Sequence, residues 1–262
     1  MSAQPAFTID LKEKFKHLPR APIVEAVIHW RARGEKKIKH DELRDELLKA
    51  LPGYPEAKTL RELHVESALG PTGDSVSRRD EWHGFRLESK DGRNIAQFTR
   101  DGFVFSRVTP YENWDRYVEE AQRLWQIHIG FTEPSEIERL GVRFINRIVP
   151  VDIGELDKIL TTPPLSPSGL KLPIGEFLHR SLFDVPGHDY RVHVIQTNQP
   201  PSPPETDALS LILDIDVFTT RTTELDDTAV RKRLNEMRWL KNKAFFSLLK
   251  AKAIEQFEES TS

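Results

Sequence analysis

The sequence predicts an α+β protein made of two tandem halves, each contributing strands to a curved antiparallel sheet with helices packed on one face. Three observations carry this expectation. Short runs alternating apolar and polar residues recur along the chain; Asp91-Gly92 and Asp101-Gly102 stand between three of them; and each half closes on a long stretch with helical spacing.

Residues 22–30 alternate, with Val24, Ala26, Ile28 and Trp30 on one side and Ile23, Glu25, Val27 and His29 on the other, which is a strand pattern. In HDELRDELLKAL, Leu43, Leu47, Leu48 and Leu51 recur at helical spacing, and Pro52-Gly53 end the element. Strands are expected at 60–69, 83–90, 94–100 and 102–108. Glycine accepts positive φ in the two Asp-Gly turns, so 83–108 reads as a meander. The polar segment GPTGDSVSRRDEW at 70–82 reads as a mobile connection. Trp114, Tyr117, Val118, Ala121, Leu124, Trp125 and His128 then mark one face of a long helix.

The order begins again at residue 138. A strand is expected over 138–151, a short helix over 152–160, strands at 176–185, 190–197 and 209–218, and one continuous helix from DDTAV to the final QF. Written out, residues 1–134 read β-α-β-β-β-β-α and residues 135–262 read β-α-β-β-β-α. The repeat is one of element order, with no convincing residue-level identity between the halves, and it resembles the TATA-binding-protein-like fold. TTPPLSPSGLKLP and NQPPSPPETD are expected to be irregular, because proline lacks the N–H that a sheet ladder uses.

Three stretches, LPRAPIVEAVIHW, RLGVRFINRI and RWLKNKAFFSLL, together resemble a sporadically distributed family of uncharacterised bacterial and archaeal proteins of similar length. The resemblance extends from about residue 15 to residue 257. It implies no activity; patchy distribution implies an accessory of a mobile or defence-type system.

Composition narrows the chemistry. The chain has no cysteine, which excludes disulfides, thiolate nucleophiles and Cys-ligated zinc or iron–sulfur centres. Charged residues interrupt every apolar run before the roughly 20 residues that a membrane helix requires, so no membrane partner is expected. The opening MSAQPAFTIDLKEKFKHLP lacks a basic start followed by an apolar run, which predicts a cytoplasmic location. A net charge of -3 argues against a general nucleic-acid coat, though not against a local basic face. No phosphate loop, dinucleotide fingerprint, nucleophile elbow or zinc helix motif occurs, and no cofactor is expected.

Three constellations remain as candidates. Glu25 sits in an apolar strand, and Arg143 and Arg147 share a face of RLGVRFINRI; if the two strands pair, the carboxylate could meet a guanidinium, as a structural ion pair or as part of an anion site. Asp214 and Asp216 share a face of LSLILDIDVF about 7 Å apart along a strand, a spacing at which two carboxylates can hold Mg²⁺ or Mn²⁺ or pair with arginines instead. Arg231, Arg238, Lys241 and Lys243 lie off the apolar stripe of the last helix, a basic surface for phosphates or an acidic partner, or an ordinary solvated face. The favoured reading is a non-catalytic protein that recognises a protein partner and can form homo-oligomers. A nucleic-acid or nucleotide binder and a metal-dependent phosphodiesterase or nuclease are the alternatives.

Overall fold

The computed structural model describes residues 6–36, 39–68, 75–167, 169–170, 172–201 and 208–258, and within them the side chains of all but 64–68 and 75–77. The strands are β1 (Ile23–Arg31), β2 (Glu56–Ala68), β3 (Ser75–Glu88), β4 (Asn94–Thr99), β5 (Gly102–Val108), β6 (Arg139–Ile148), β7 (Leu178–Asp184), β8 (Tyr190–Gln199) and β9 (Ser210–Thr219). The helices are α1 (His40–Ala50), α2 (Trp114–Thr132), α3 (Leu156–Ile159), α4 (Asp227–Leu248) and α5 (Ala251–Glu255). The strands form one open antiparallel sheet in the order β2-β3-β4-β5-β1-β6-β9-β8-β7. The expected α+β class is therefore observed. No helix among the described residues is long and apolar enough to cross a membrane.

By contact the chain divides into two compact units, one of Met1–Ile28, Val108–Tyr111 and Arg139–Ser262, the other of His29–Arg107 and Glu112–Glu138. In the second of these, the alternating strand pattern turns aromatic residues inward. Trp30, Phe85, Phe98, Phe103 and Phe105 are all buried. Helix α2 starts at Asn113, whose side chain accepts from the Arg116 N–H, and sets Trp125 flat against Trp30 with ring centres 5.5 Å apart. The Tyr117 hydroxyl donates to the Phe105 carbonyl at 3.1 Å, so the ring is buried without an orphaned oxygen. Gly102 is required at its turn: φ is +148°, and a Cβ there would lie 2.0 Å from the Trp30 carbonyl oxygen.

The segment read as mobile at 70–82 is partly strand. Residues 75–82 are the first arm of β3 and pair with β2 in continuous register from Ser75↔Ala68 to Glu62↔Glu81, while 70–74 lie outside the described residues. Its polarity misleads because this arm is held by backbone pairing and charge, including Arg61 Nε to Asp80 at 2.8 Å, and not by an apolar face.

In the other unit, α4 packs on one face of β6, β9 and β8, with Val230, Leu234, Met237 and Leu240 buried beneath it. The aromatic residues on its remaining faces are covered by the N-terminal segment: Phe7 and Phe15 meet Trp239, and Phe15 stacks on Phe246 at 5.5 Å. The single closing helix expected from spacing is broken. Leu249 is extended and bridges Leu160, with the Lys250 N–H donating to the Ile159 carbonyl and Thr161 to that of Leu248, before α5 resumes. Apolar periodicity alone does not register such a bridge, because the local sequence carries no glycine or proline at the break. Of the Pro-rich stretch at 198–207, residues 202–207 lie outside the described residues.

Candidate binding surface

The registers of β6, β9, β8 and β7 assemble a charged face opposite α4. Arg143 stands across from Asp216 and Ile145 from Asp214; His193 and Ile195 face the same two aspartates from β8, and Leu182 and Arg180 continue the rows on β7. Strand pairing therefore brings Arg143 together with Asp214, 71 residues later in sequence, and with Asp216 beside it.

The charges pair on the diagonal. Arg143 holds Asp214 with two parallel bonds of 2.8 and 2.6 Å, and Arg139, which the sequence reading left aside, holds Asp216 at 2.7 Å while lying 4.3 Å over the Phe218 ring. Asp214 is buried and Arg143 about half exposed, so the carboxylate's charge is met inside the sheet face and the guanidinium reaches water. Burial raises the Asp216 carboxyl above its ordinary range; Arg139, and then Arg143, act against that rise. Arg143 is held above its own range chiefly by its bond to Asp214, and the charges of Asp216 and Glu25 add to this. Glu25 lies within electrostatic reach of Arg143, but the two bonds of that guanidinium go to Asp214. Arg147 donates from Nε to the Ser210 hydroxyl at 3.0 Å.

This geometry bears on the metal reading of Asp214 and Asp216. Each carboxylate is already occupied by a guanidinium, and the ion pair supplies the charge balance that a divalent ion would otherwise supply.

The basic residues of α4 lie on the other face and do not form one row. Lys243 pairs with Glu13 at 2.7 Å. Lys241 turns inward, its amine 3.9 Å from the centre of the Phe144 ring, whose edge is covered by Tyr111. The ring face attracts a charged amine, but desolvation outweighs it and, with Arg238 adding to the effect, pushes the Lys241 pKa down to about 7. Arg231 is partly buried and Arg238 exposed.

A feature that the sequence reading missed is the edge at β7. Six of the ten large apolar side chains exposed among the described residues fall between 165 and 183: Leu165, Leu170, Leu172, Leu178, Leu182 and Phe183. By register Leu182 lies on the face of His193 and Phe183 on the face of Val192, so β7 exposes apolar side chains on both sides, with Leu178 71% exposed and Phe183 52%, beside the polar His179, Arg180, Ser181 and Asp184. Strand β7 ends the sheet, and no backbone group among the described residues bonds to its free edge. The signal was present in EFLHRSLFDV, which lacks strict alternation, but only the strand order identifies it as an edge. No protein-family model matches the chain, and no curated protein matches it.

Proposed function

We propose that this is a non-catalytic binding module that recognises a protein partner along the free edge of β7. The observation that supports it most is a free edge strand that exposes Leu178 and Leu182 on one face and Phe183 on the other. A free edge strand with exposed Leu178, Leu182 and Phe183 is a template for another strand, and the charged Arg180 and Asp184 on it narrow the strands that can pair there. Backbone pairing would supply affinity, and Leu165, Leu170 and Leu172 would widen the apolar contact.

The charged face beside it suits a partner that carries both signs, since Arg180, Arg143, Asp216 and Asp214 alternate across the rows. A nucleic-acid role for α4 draws less support, with Lys243 paired and Lys241 inward. An anion site at Arg143 competes with the bidentate hold of Asp214. The strand order supports the idea of internal duplication: outward from the adjacent β1 and β6, one half runs β5, β4, β3, β2 and the other β9, β8, β7. A role as accessory in a mobile or defence-type system is what the family resemblance adds to this reading.

The test compares the full chain with Leu182→Lys and Leu182→Pro, since the alternation of the β7–β8 ladder points the Leu182 N–H to the free edge. Tagged protein purified from its native host at low salt should bring down one companion at fixed stoichiometry, or a second copy of itself, and both variants should lose it while keeping the wild-type thermal transition. A companion retained by both variants would place the interface elsewhere. An eluate rich in nucleic acid, lost in high salt, would favour the nucleic-acid reading.

A further inference from the structure

We propose that Glu62, His83 and Asp101 form a binding site for a divalent first-row transition-metal ion, in the unit formed by His29–Arg107 and Glu112–Glu138. The three residues come from β2, β3 and the β4–β5 turn, and one donor atom of each lies within 4.8 Å of the other two. They are far apart in sequence, which is why no motif announced them.

The backbone builds this cluster deliberately. The β2–β3 register pairs Leu60 with Gly84 and Arg61 with Trp82, so His83 is the extra residue of a β-bulge. Such a bulge leaves one residue unpaired and re-aims its side chain, and bulges concentrate next to functional sites. The turn that carries Asp101 is tied down on two sides: the Arg100 N–H donates to the His83 carbonyl at 3.0 Å, and the Asp101 carbonyl accepts from the Ala32 N–H at 2.9 Å. Gly84, next to the bulge, lies so close to β4 that a Cβ would sit 2.1 Å from the Phe98 carbonyl oxygen, which keeps the strands at close approach there.

The ring nitrogen points the same way. His83 Nδ1 is shielded from solvent and has no hydrogen-bond partner among the described residues, although Glu62 Oε2 lies 3.4 Å away. A buried nitrogen left without a hydrogen bond costs free energy. Two donors each about 2.1 Å from one ion, at a tetrahedral angle, stand roughly 3.4 Å apart, so this pair is spaced as ligands are and not as donor and acceptor. With the ring proton on Nε2, the Nδ1 lone pair faces the two carboxylates.

The donor set decides the class of ion. Imidazole with two carboxylates suits Zn²⁺, Mn²⁺, Fe²⁺ or Co²⁺, whereas Mg²⁺ and Ca²⁺ favour oxygen alone. Two carboxylates balance the charge of a divalent ion. Arg33, 3.9 Å from Asp101 and largely exposed, is the cation that would give way. Three protein ligands at a half-exposed site leave the remaining coordination positions to water.

Titration calorimetry of the chelator-treated full chain with ZnCl₂, and the visible absorption of its Co²⁺ complex, test the site. One ion per chain is expected, with Co²⁺ bands of tetrahedral or five-coordinate intensity. Each of Glu62→Gln, His83→Gln and Asp101→Asn should weaken binding by roughly tenfold or more. His179→Gln, on β7, should leave it unchanged. Far-UV spectra and melting of the metal-free variants establish that each is folded. No saturable binding, or binding indifferent to all three substitutions in folded protein, overturns the proposal.

Discussion

His128 is neutral because of its surroundings. It lies on α2 against Trp125, with ring centres 5.3 Å apart, it is 1% exposed, and burial pushes its pKa down to about 3. The unfolded chain, with an ordinary imidazole near pH 6.5, binds the proton more readily than the folded one. Stability from this residue is therefore complete above pH 6.5 and is lost as the pH falls toward 3, by up to about 1.4 kcal/mol per unit. Denaturant melts of His128→Phe should show a shallower loss between pH 6 and pH 4 than wild type; an unchanged slope would mean that other groups govern acid unfolding. Lys241 works in the opposite pH range. Its pKa near 7 means that the folded state resists protonation, so its contribution grows as pH rises from 7 toward 10.5. Lys241→Met should raise the melting temperature at pH 6.5 and gain less at pH 10. At the charged face, Arg143→Ala would strand a buried Asp214, at a cost of about 1–3 kcal/mol in denaturant midpoint analysis, since Arg143 itself is partly screened by water. Of these three residues, the arginine was singled out beforehand with Glu25 as its expected partner; that Asp214 takes its two bonds depends on the β6–β9 register, and nothing in a helical stripe distinguishes a lysine that points in from one that points out.

Elements were legible where a local rule governed them. The Asp-Gly turns set the β3–β4–β5 meander, and the spacing of Leu43 and Leu47 set α1. They were illegible where long-range pairing governed: the polar first arm of β3 exists because β2 offers a partner, and α4 stops because Leu249 bridges Leu160. The start of α4, by contrast, is written in the chain. Asp226 is extended, and its carboxylate accepts the Ala229 N–H at 2.7 Å, satisfying one of the donors that a helix start leaves open. Asp226→Ala should cost roughly 0.5–2 kcal/mol, and Asp226→Asn or Ser much less. Equal losses for Ala and Asn would indicate that the charge, not the cap bond, is what matters, through its attraction to the helix N-terminus. The β7 edge shows the same division between local and distant causes. Its strand character was legible, but its place at the end of the sheet depends on β8, from later in the chain, pairing with it on one side and with β9 on the other.

At the scale of the whole molecule, the compact units are not consecutive halves. One gathers Met1–Ile28, Val108–Tyr111 and Arg139–Ser262, so it draws on residues before and after the other in sequence. The reasons are specific. The Arg147 N–H donates to the Pro22 carbonyl at 2.8 Å, Lys243 pairs with Glu13, and Phe7 and Phe15 cover Trp239 and Phe246. A fragment of residues 135–262 would carry α4 with those aromatic rings uncovered and the edge of β6 unpaired, exposing apolar surface and backbone groups together. It should therefore melt without a cooperative transition and show weak near-ultraviolet circular dichroism, while the intact chain shows both. Adding residues 1–134 in trans should restore part of the signal, because they bring Pro22, Glu13, Phe7 and Phe15. A sharp transition from 135–262 alone would mean that β6 to α5 already close a core of their own. The N-terminal cover would then be an addition to a self-sufficient half, and duplication of an autonomous unit would become the better account of the repeated element order.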